Sequence, residues 1–305
     1  MKILEKRITK INKVTVNMKT PISYYGGKQQ LVTTILPMIP QHHLYTESFC
    51  GGAAIFWAKQ PSVIEVINDK NSEVSNFYRV VKTNFVELES LISATLHSRE
   101  AYKKAIAIYK NPENHSDLDR AWSFWVGCNM SYLSSIGGGF AYQRQGKNRC
   151  ALKIANNRES FTDTYTDRLR VVTVEHEDAV KVIQRYDFEE AFHYVDPPYY
   201  NANMGHYKGY TLEMYENLLQ TLSQIKGKFL LSSYPSELLT KYIHDNKWFN
   251  KEIVMRSSAT QNKKNKVESL TGNYDFEAVA LENKTAVVVD FKQAKTQSID
   301  LLKVA

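Results

Sequence analysis

Residues 44–69 read LYTESFCGGAAIFWAKQPSVIEVIND, and the fold turns on them. Leu44–Phe49 is a short run of strand type, and Val63–Asn68 is a second, rich in β-branched residues. Between them Gly51-Gly52 breaks the chain and Ala53–Lys59 follows as a helix; another helix is predicted over Ser72–Thr83. Strand, helix, strand, helix is the rhythm of βαβ units, so the expected class is α/β with a largely parallel sheet.

Farther along, the rhythm lapses between about Glu87 and Asp167. Helical segments at Tyr102–Tyr109 and Leu118–Cys128 lead into a Gly- and Ser-rich stretch, Ser131–Tyr142. Strand-like runs resume at Arg170–Glu175, Ala191–Val195 and Lys228–Ser232, with an amphipathic stretch at Leu212–Ile225 between the last two. Two β-rich segments, Glu252–Ser257 and Phe276–Glu282, are predicted to close the pattern. The expected organisation is a basic flexible tail (1–19), a main domain in two pieces (20–86 and 168–305) and an insertion (87–167).

With 43% hydrophobic residues, 305 residues can bury a full core. No run approaches the roughly 20 apolar residues of a membrane span, and no secretory signal is visible, so a soluble cytoplasmic protein is expected. Cys50, Cys128 and Cys150 are far apart and in no C-x-x-C pair, which argues against a disulfide framework or a zinc site. The net charge of +7 is less informative than it looks. Lys2, Lys6, Arg7, Lys10, Lys13 and Lys19 against Glu5 place most of it in the tail, and the rest of the chain is nearly balanced. The local cluster Arg144, Lys147, Arg149, Lys153 and Arg158, with no acidic residue among 140–158, is the better clue to a polyanionic partner.

The motif richest in chemistry is Asp196-Pro197-Pro198-Tyr199, directly after the run Phe192–Val195 and before the aromatic loop Tyr200, His206, Tyr207 and Tyr210. Open parallel sheets bind ligands beyond the carboxyl ends of their strands, where this tetrapeptide falls. An exocyclic amine is a poor nucleophile because its lone pair is delocalised into the ring. A carboxylate and a backbone carbonyl that both accept hydrogen bonds from the NH2 group localise that lone pair toward a methyl donor. Asp196 supplies the first acceptor and the Pro197 carbonyl the second, with the paired prolines fixing the backbone. Tyr199 is placed to stack on a base, an interaction worth roughly 1–3 kcal/mol. A plain turn is the alternative, less favoured than the functional reading, and the flanking aromatic cluster adds to the latter.

Two weaker signals support it. Phe49-Cys50-Gly51-Gly52 ends the first strand, and glycines there let a ligand approach the backbone. Asp69 ends the next strand, at about the separation where nucleotide-binding sheets place an acid for ribose hydroxyls; capping of the helix near Asn71 is the alternative. Tyr24-Tyr25-Gly26-Gly27-Lys28 joins an aromatic surface, a flexible turn and a cation that could engage the carboxylate of a methionine-like ligand.

In this order along the chain, these motifs resemble the Dam-like (D12 class) DNA adenine-N6 methyltransferases over roughly residues 20–282. The resemblance implies a Rossmann-like seven-stranded sheet with an inserted, mainly helical target-recognition domain containing a loop or hairpin. It implies S-adenosylmethionine as methyl donor, with cofactor contacts at Tyr24, Lys28, Phe49, Gly51, Gly52, Asp69 and Asp196. Asp196, Pro197, Pro198 and Tyr199 would hold the target amine, and no metal is required. Asp178 resembles the family's acidic position before the catalytic strand and is counted with the cofactor contacts, although a helix-capping role suits it as well. Tyr24 and Cys50 stand at variable points of the pattern.

Recognition of double-stranded DNA then falls to the insertion. Ile136–Lys147 reads as a loop or hairpin presenting Tyr142, Arg144 and Lys147, with Arg149 just beyond. Arginine pairs bidentately with guanine in the major groove, whereas Lys147, Arg149 and Arg158 are expected at phosphates. A monomer suffices for one catalytic domain with one insertion, and a cognate restriction endonuclease that is not physically bound is a natural partner. Three other readings compete: the same chemistry on RNA or a protein amide, an NAD-dependent oxidoreductase, and a catalytically silent DNA-binding protein. The first position of the tetrapeptide is Asp rather than Asn, which disfavours a protein amide. Gly51-Gly52 lacks the G-x-G-x-x-G spacing of the oxidoreductases.

Overall fold

The computed structural model describes residues 18–145, 149–200, 209–255 and 266–284. Lys147, His206, Tyr207 and most of the basic tail lie outside these. Seven strands form one sheet: β1 (Leu44–Glu47), β2 (Ile64–Asn68), β3 (Thr173–Glu175), β4 (Ala191–Val195), β5 (Lys228–Ser233), β6 (Phe249–Met255) and β7 (Lys266–Gly272). Their order is β3-β2-β1-β4-β5-β7-β6; the first five run parallel, and β7 lies antiparallel between β5 and β6. This is a Rossmann-like α/β methyltransferase fold, as the sequence led one to expect.

β1 and β4 are buried along their whole length, including the polar Thr46, Glu47 and His193, because the sheet is covered on both faces there. Successive side chains of β4 and β5 serve opposite faces of the sheet. Phe192, Tyr194 and Leu230 join one apolar cluster, while Val195, Phe229 and Leu231 join another.

The helices are α1 (Val32–Ile35), α2 (Ala54–Ala58), α3 (Ser72–Thr83), α4 (Phe85–Ala94), α5 (Arg99–Lys110), α6 (Asp117–Met130), α7 (Cys150–Glu159), α8 (Thr164–Leu169), α9 (Ala179–Tyr186), α10 (Leu212–Leu222) and α11 (Glu237–Asn246). Six start at a side chain that accepts a backbone N–H of the first turn: Asn71, Ser98, Ser116, Asp178, Thr211 and Ser236. Such caps are what a sequence can specify locally. α9, α10 and α11 contribute Ile183, Leu218, Leu219 and Leu239 to the second cluster. The helices of the inserted stretch do not form a separate core. Tyr102 and Ala105 of α5, and Phe124 and Trp125 of α6, share the first cluster with Tyr45 of β1 and Phe77 of α3. The chain returns to the sheet through α8, where Arg168 pairs with the buried Glu65 of β2, donates to the Phe56 carbonyl at 3.1 Å and sits 3.9 Å from the centroid of its ring.

Two expectations fail. Residues 276–284 are helical rather than β, and the missing strand is β7, at Lys266–Gly272. Asp275 caps that helix through a 2.9 Å bond from the Ala278 N–H, and Glu277, Ala278, Ala280 and Leu281 are good helix formers. β7 carries Glu, Ser and Thr yet is buried from Glu268 to Gly272, because β5 and β6 flank it on both sides. Strand β3 also starts late, at Thr173, since Arg170–Val172 close the turn that leaves α8.

Candidate active site

The sheet order reverses between β1 and β4, where Glu47 pairs in register with Tyr194. Connections from these two strands leave toward opposite faces, which opens a crevice beyond their carboxyl ends. A cavity of about 660 Å³ lies there, lined by Tyr24, Lys28, Phe49, Gly51, Gly52, Asp69, Asp178 and Asp196 to Tyr199. These include every residue assigned from sequence to the cofactor and the target amine.

Lys28 reaches the site from the turn after Tyr24-Tyr25-Gly26-Gly27. The Gly27 N–H donates to the Tyr24 carbonyl at 3.1 Å, and Gly26 has a φ of 74°, the left-handed conformation glycine permits without strain. The buried Lys28 Nζ lies 2.6 Å from Asp196 Oδ1 and 3.4 Å from Glu268 Oε1, and it donates to the Gly26 carbonyl at 3.3 Å. Burial works against the ammonium, but Asp196 and Glu268 overcome it and hold its pKa above the usual lysine value. Asp196 is pushed up to about 6, chiefly by burial; Lys28 opposes that shift and Glu268 adds to it. The Tyr199 hydroxyl donates to Glu268 and, at 3.5 Å, to Asp196 Oδ1. Burial and the two carboxylates raise the Tyr199 pKa well above the usual range, so this hydroxyl remains a donor. Its ring packs against Tyr234 with centroids 4.1 Å apart.

The opposite wall is the turn after β1. Gly51 has a φ of 45°, and its N–H donates to Asp69 Oδ2 at 2.9 Å. The other Asp69 oxygen accepts the Asn71 N–H at 2.9 Å, while the cap of α3 is Asn71 itself, accepting the Glu73 N–H at 3.0 Å. Asp69 therefore braces the glycine turn at the edge of the cavity and does not cap the helix. Asp178 caps α9 by accepting the Val180 N–H at 3.0 Å, and it also lines the cavity, 3.6 Å from Lys70 Nζ. Phe49 packs edge-on against Tyr210, centroids 6.1 Å apart.

The loop of the insertion starts at the same cavity, since Ser134, Ser135 and Ile136 line it. An antiparallel bridge between Ser131 and Phe140 closes it as a hairpin, with Gly137 and Gly139 at φ 81° and 104°. From there Phe140 stacks on His97, and Arg99 lies 5.2 Å from the Tyr142 ring, with Arg144 at 5.9 Å on the same ring. Tyr142, Arg144 and Arg149 are exposed. Arg158 Nη1 donates to the Thr95 carbonyl at 2.8 Å and the Ser93 carbonyl at 3.3 Å, which ties α7 to the end of α4.

Sequence reasoning missed Glu268, Tyr234, Tyr109 and Glu47, of which all but Glu268 line the cavity. Glu47 is the one with a local signal, an acid just before the glycine turn. It accepts bonds from the Tyr45 hydroxyl and the Phe56 N–H, both at 2.9 Å, and burial pushes its carboxyl up to about 8.

Residues 24–263 match the family described as D12 class N6 adenine-specific DNA methyltransferase. The chain belongs to this family. It is a site-specific, adenine-specific DNA methyltransferase, and the family implies S-adenosylmethionine as methyl donor and DNA as substrate. It is 26% identical to the type II methyltransferase M1.LlaDCHI of Lactococcus lactis subsp. cremoris over 286 residues, covering 87% of this chain and 98% of that protein. It is 24% identical to the modification methylase StsI of Streptococcus sanguinis over 202 residues, which span 60% of this chain but 29% of that larger protein. Among solved structures, the precorrin-6y C5,15-methyltransferase of Geobacter metallireducens GS-15 aligns over 80% of this chain and 86% of its own, with 10% identity and a TM-score of 0.35. The D12 assignment rests on the family match and the motifs.

Proposed function

We propose that this D12 methyltransferase holds the exocyclic amine of a flipped-out adenine between the Asp196 carboxylate and the Pro197 carbonyl, with S-adenosylmethionine seated across the glycine turn in the same cavity. The observation that carries this reading is the meeting of Asp196–Tyr199 with the Gly51–Asp69 turn around one cavity at the β1–β4 crossover. The residues suit such a ligand. Asp69 offers a carboxylate for ribose hydroxyls, Lys28 a cation for the methionine carboxylate, and Tyr24 and Phe49 apolar surface; Gly51 and Gly52 leave their backbone open to close approach. When bound, S-adenosylmethionine supplies an electrophilic methyl group on a sulfonium.

The chain's own part is positioning and electrostatics. Asp196 and the Pro197 carbonyl accept the two N6 hydrogens, which localises the nitrogen lone pair. Tyr199 stacks on the base, and its interaction offsets part of the few kcal/mol that unpairing and unstacking cost. Once methylated, the amine would be cationic, and the Asp196 carboxylate is placed to take the proton it sheds. Double-stranded DNA lies along the 131–144 hairpin, with Tyr142 and Arg144 at the bases and Lys147 and Arg149 at phosphates. In this reading 87–167 is the target-recognition domain and the enzyme acts as a cytoplasmic monomer. It works beside a cognate restriction endonuclease, a setting in line with the names of its relatives, and does so without binding that partner. Among the described residues, no helix is long and apolar enough to cross a membrane.

The test is transfer of labelled methyl groups from S-adenosylmethionine to unmethylated genomic DNA, with RNA and total protein in parallel and nucleoside analysis of the product. N6-methyladenine in DNA is the expected outcome. Label in RNA or protein instead would overturn the assignment of the target amine.

A further inference from the structure

We infer that Glu268 is a positioning residue of the methyl-transfer site, holding Tyr199 in place and keeping the buried Lys28 ammonium paired when Asp196 turns to the target amine. Three donors converge on one oxygen of this side chain. Glu268 Oε1 accepts from the Tyr199 hydroxyl and from the Ser232 hydroxyl, and Lys28 Nζ lies 3.4 Å away. Glu268 is 5% exposed, pairs in register with Ile253 of β6 and lies on the same sheet face as Ser232 of β5, so the sheet holds it in place.

The argument is one of charge. Lys28 is buried and, among the described residues, has two carboxylate partners, Asp196 at 2.6 Å and Glu268 at 3.4 Å. The inference rests on the reading of Asp196 as acceptor of the adenine amine, a task that competes with the Lys28 contact for the same carboxylate. Were Asp196 the chain's only counter-ion, releasing it would leave the buried ammonium to the methionine carboxylate alone, and the pair would open less readily. With Glu268 present, Lys28 shifts its weight from one carboxylate to the other and never loses a partner. The same oxygen anchors the Tyr199 hydroxyl, so the aromatic ring beside the base is held by the group that holds the lysine. Glu268 also adds to the upward shift of Asp196, so removing its charge lowers the pH at which Asp196 ionises.

Glu268→Gln keeps an oxygen that accepts both hydroxyls and removes only the charge; Glu268→Asp keeps the charge with a shorter reach. Single-turnover methyl transfer to unmethylated DNA, at saturating S-adenosylmethionine and across a pH series, reads the difference. For Glu268→Gln we expect a rate lower by about tenfold or more, with an acid limb moved to lower pH. DNA and cofactor affinities should stay within about threefold, while Glu268→Asp recovers part of the rate. A wild-type rate and acid limb in Glu268→Gln would overturn the inference, as would equal losses in the two variants. Should Glu268→Gln melt below the assay temperature, Glu268→Asp carries the test, and wild-type kinetics in it overturn the inference. Asp196→Asn is the control: full transfer in that variant removes the premise, whereas an inactive Asp196→Asn beside a normal Glu268→Gln removes Glu268 alone.

Discussion

Tyr24 lies so close over Gly51 that a Cβ on the glycine would come within 2.6 Å of Tyr24 Cε1. Two segments that the sequence keeps apart thus form one surface, and glycine is needed twice, for the contact and for a φ of 45°. Gly51→Ala is expected to displace Tyr24 from the cavity wall. It should weaken S-adenosylmethionine binding by about tenfold or more and cost about 1–3 kcal/mol of stability. Calorimetric titration of the variant checks this; unchanged affinity would remove the turn from the cofactor site.

Asp196→Asn keeps the shape of the side chain but weakens its power to draw on the amine lone pair. Methyl transfer should fall by about 100-fold or more while DNA binding persists. A labelled-methyl assay run beside gel-shift binding separates the two effects.

The pH dependence follows from the same carboxylate. Asp196 must be ionised to act as acceptor for the target amine, and it is pushed up to about 6. Below that pH it is protonated, so single-turnover rate should rise with pH through about 6 and then level off. A rate flat from pH 5 to 8 would exclude Asp196 as the titrating acceptor.

Arg144→Ala should weaken binding to the cognate sequence by about 1–3 kcal/mol and relax the choice of site at one position. If Arg144 meets only phosphate, affinity falls alike for every sequence and the salt slope drops by about one. Competition binding with single-base variants distinguishes these, and an unchanged profile would take Arg144 off the DNA.

Phe124 of α6 is fully buried in the cluster that also holds Tyr45 of the sheet and Phe77 of α3. Phe124→Ala should cost about 3–5 kcal/mol, felt by the whole molecule as a single shifted unfolding transition. A separate early transition, with the sheet intact, would show that the inserted helices unfold on their own.

Much of the fold was legible because it is written locally. Ser72–Thr83 starts at its Asn71 cap, Ala191–Val195 is a bare run of buried residues, and glycines mark the turns. The tetrapeptide Asp196–Tyr199 and the glycine turn also stand out locally, since each needs particular residues next to one another. Tertiary structure decided the rest. β7 is polar in sequence and becomes a strand because β5 and β6 pair with it, while 276–284 passes from a strand-like pattern to a helix through one Asp275 cap. Lys28 and Asp196 are 168 positions apart, and Glu268 lies farther along still. Their charges act on one another because the crossover between β1 and β4 brings three turns and a buried strand to one low-dielectric cavity, where pairing is set by distance through space and not by order along the chain.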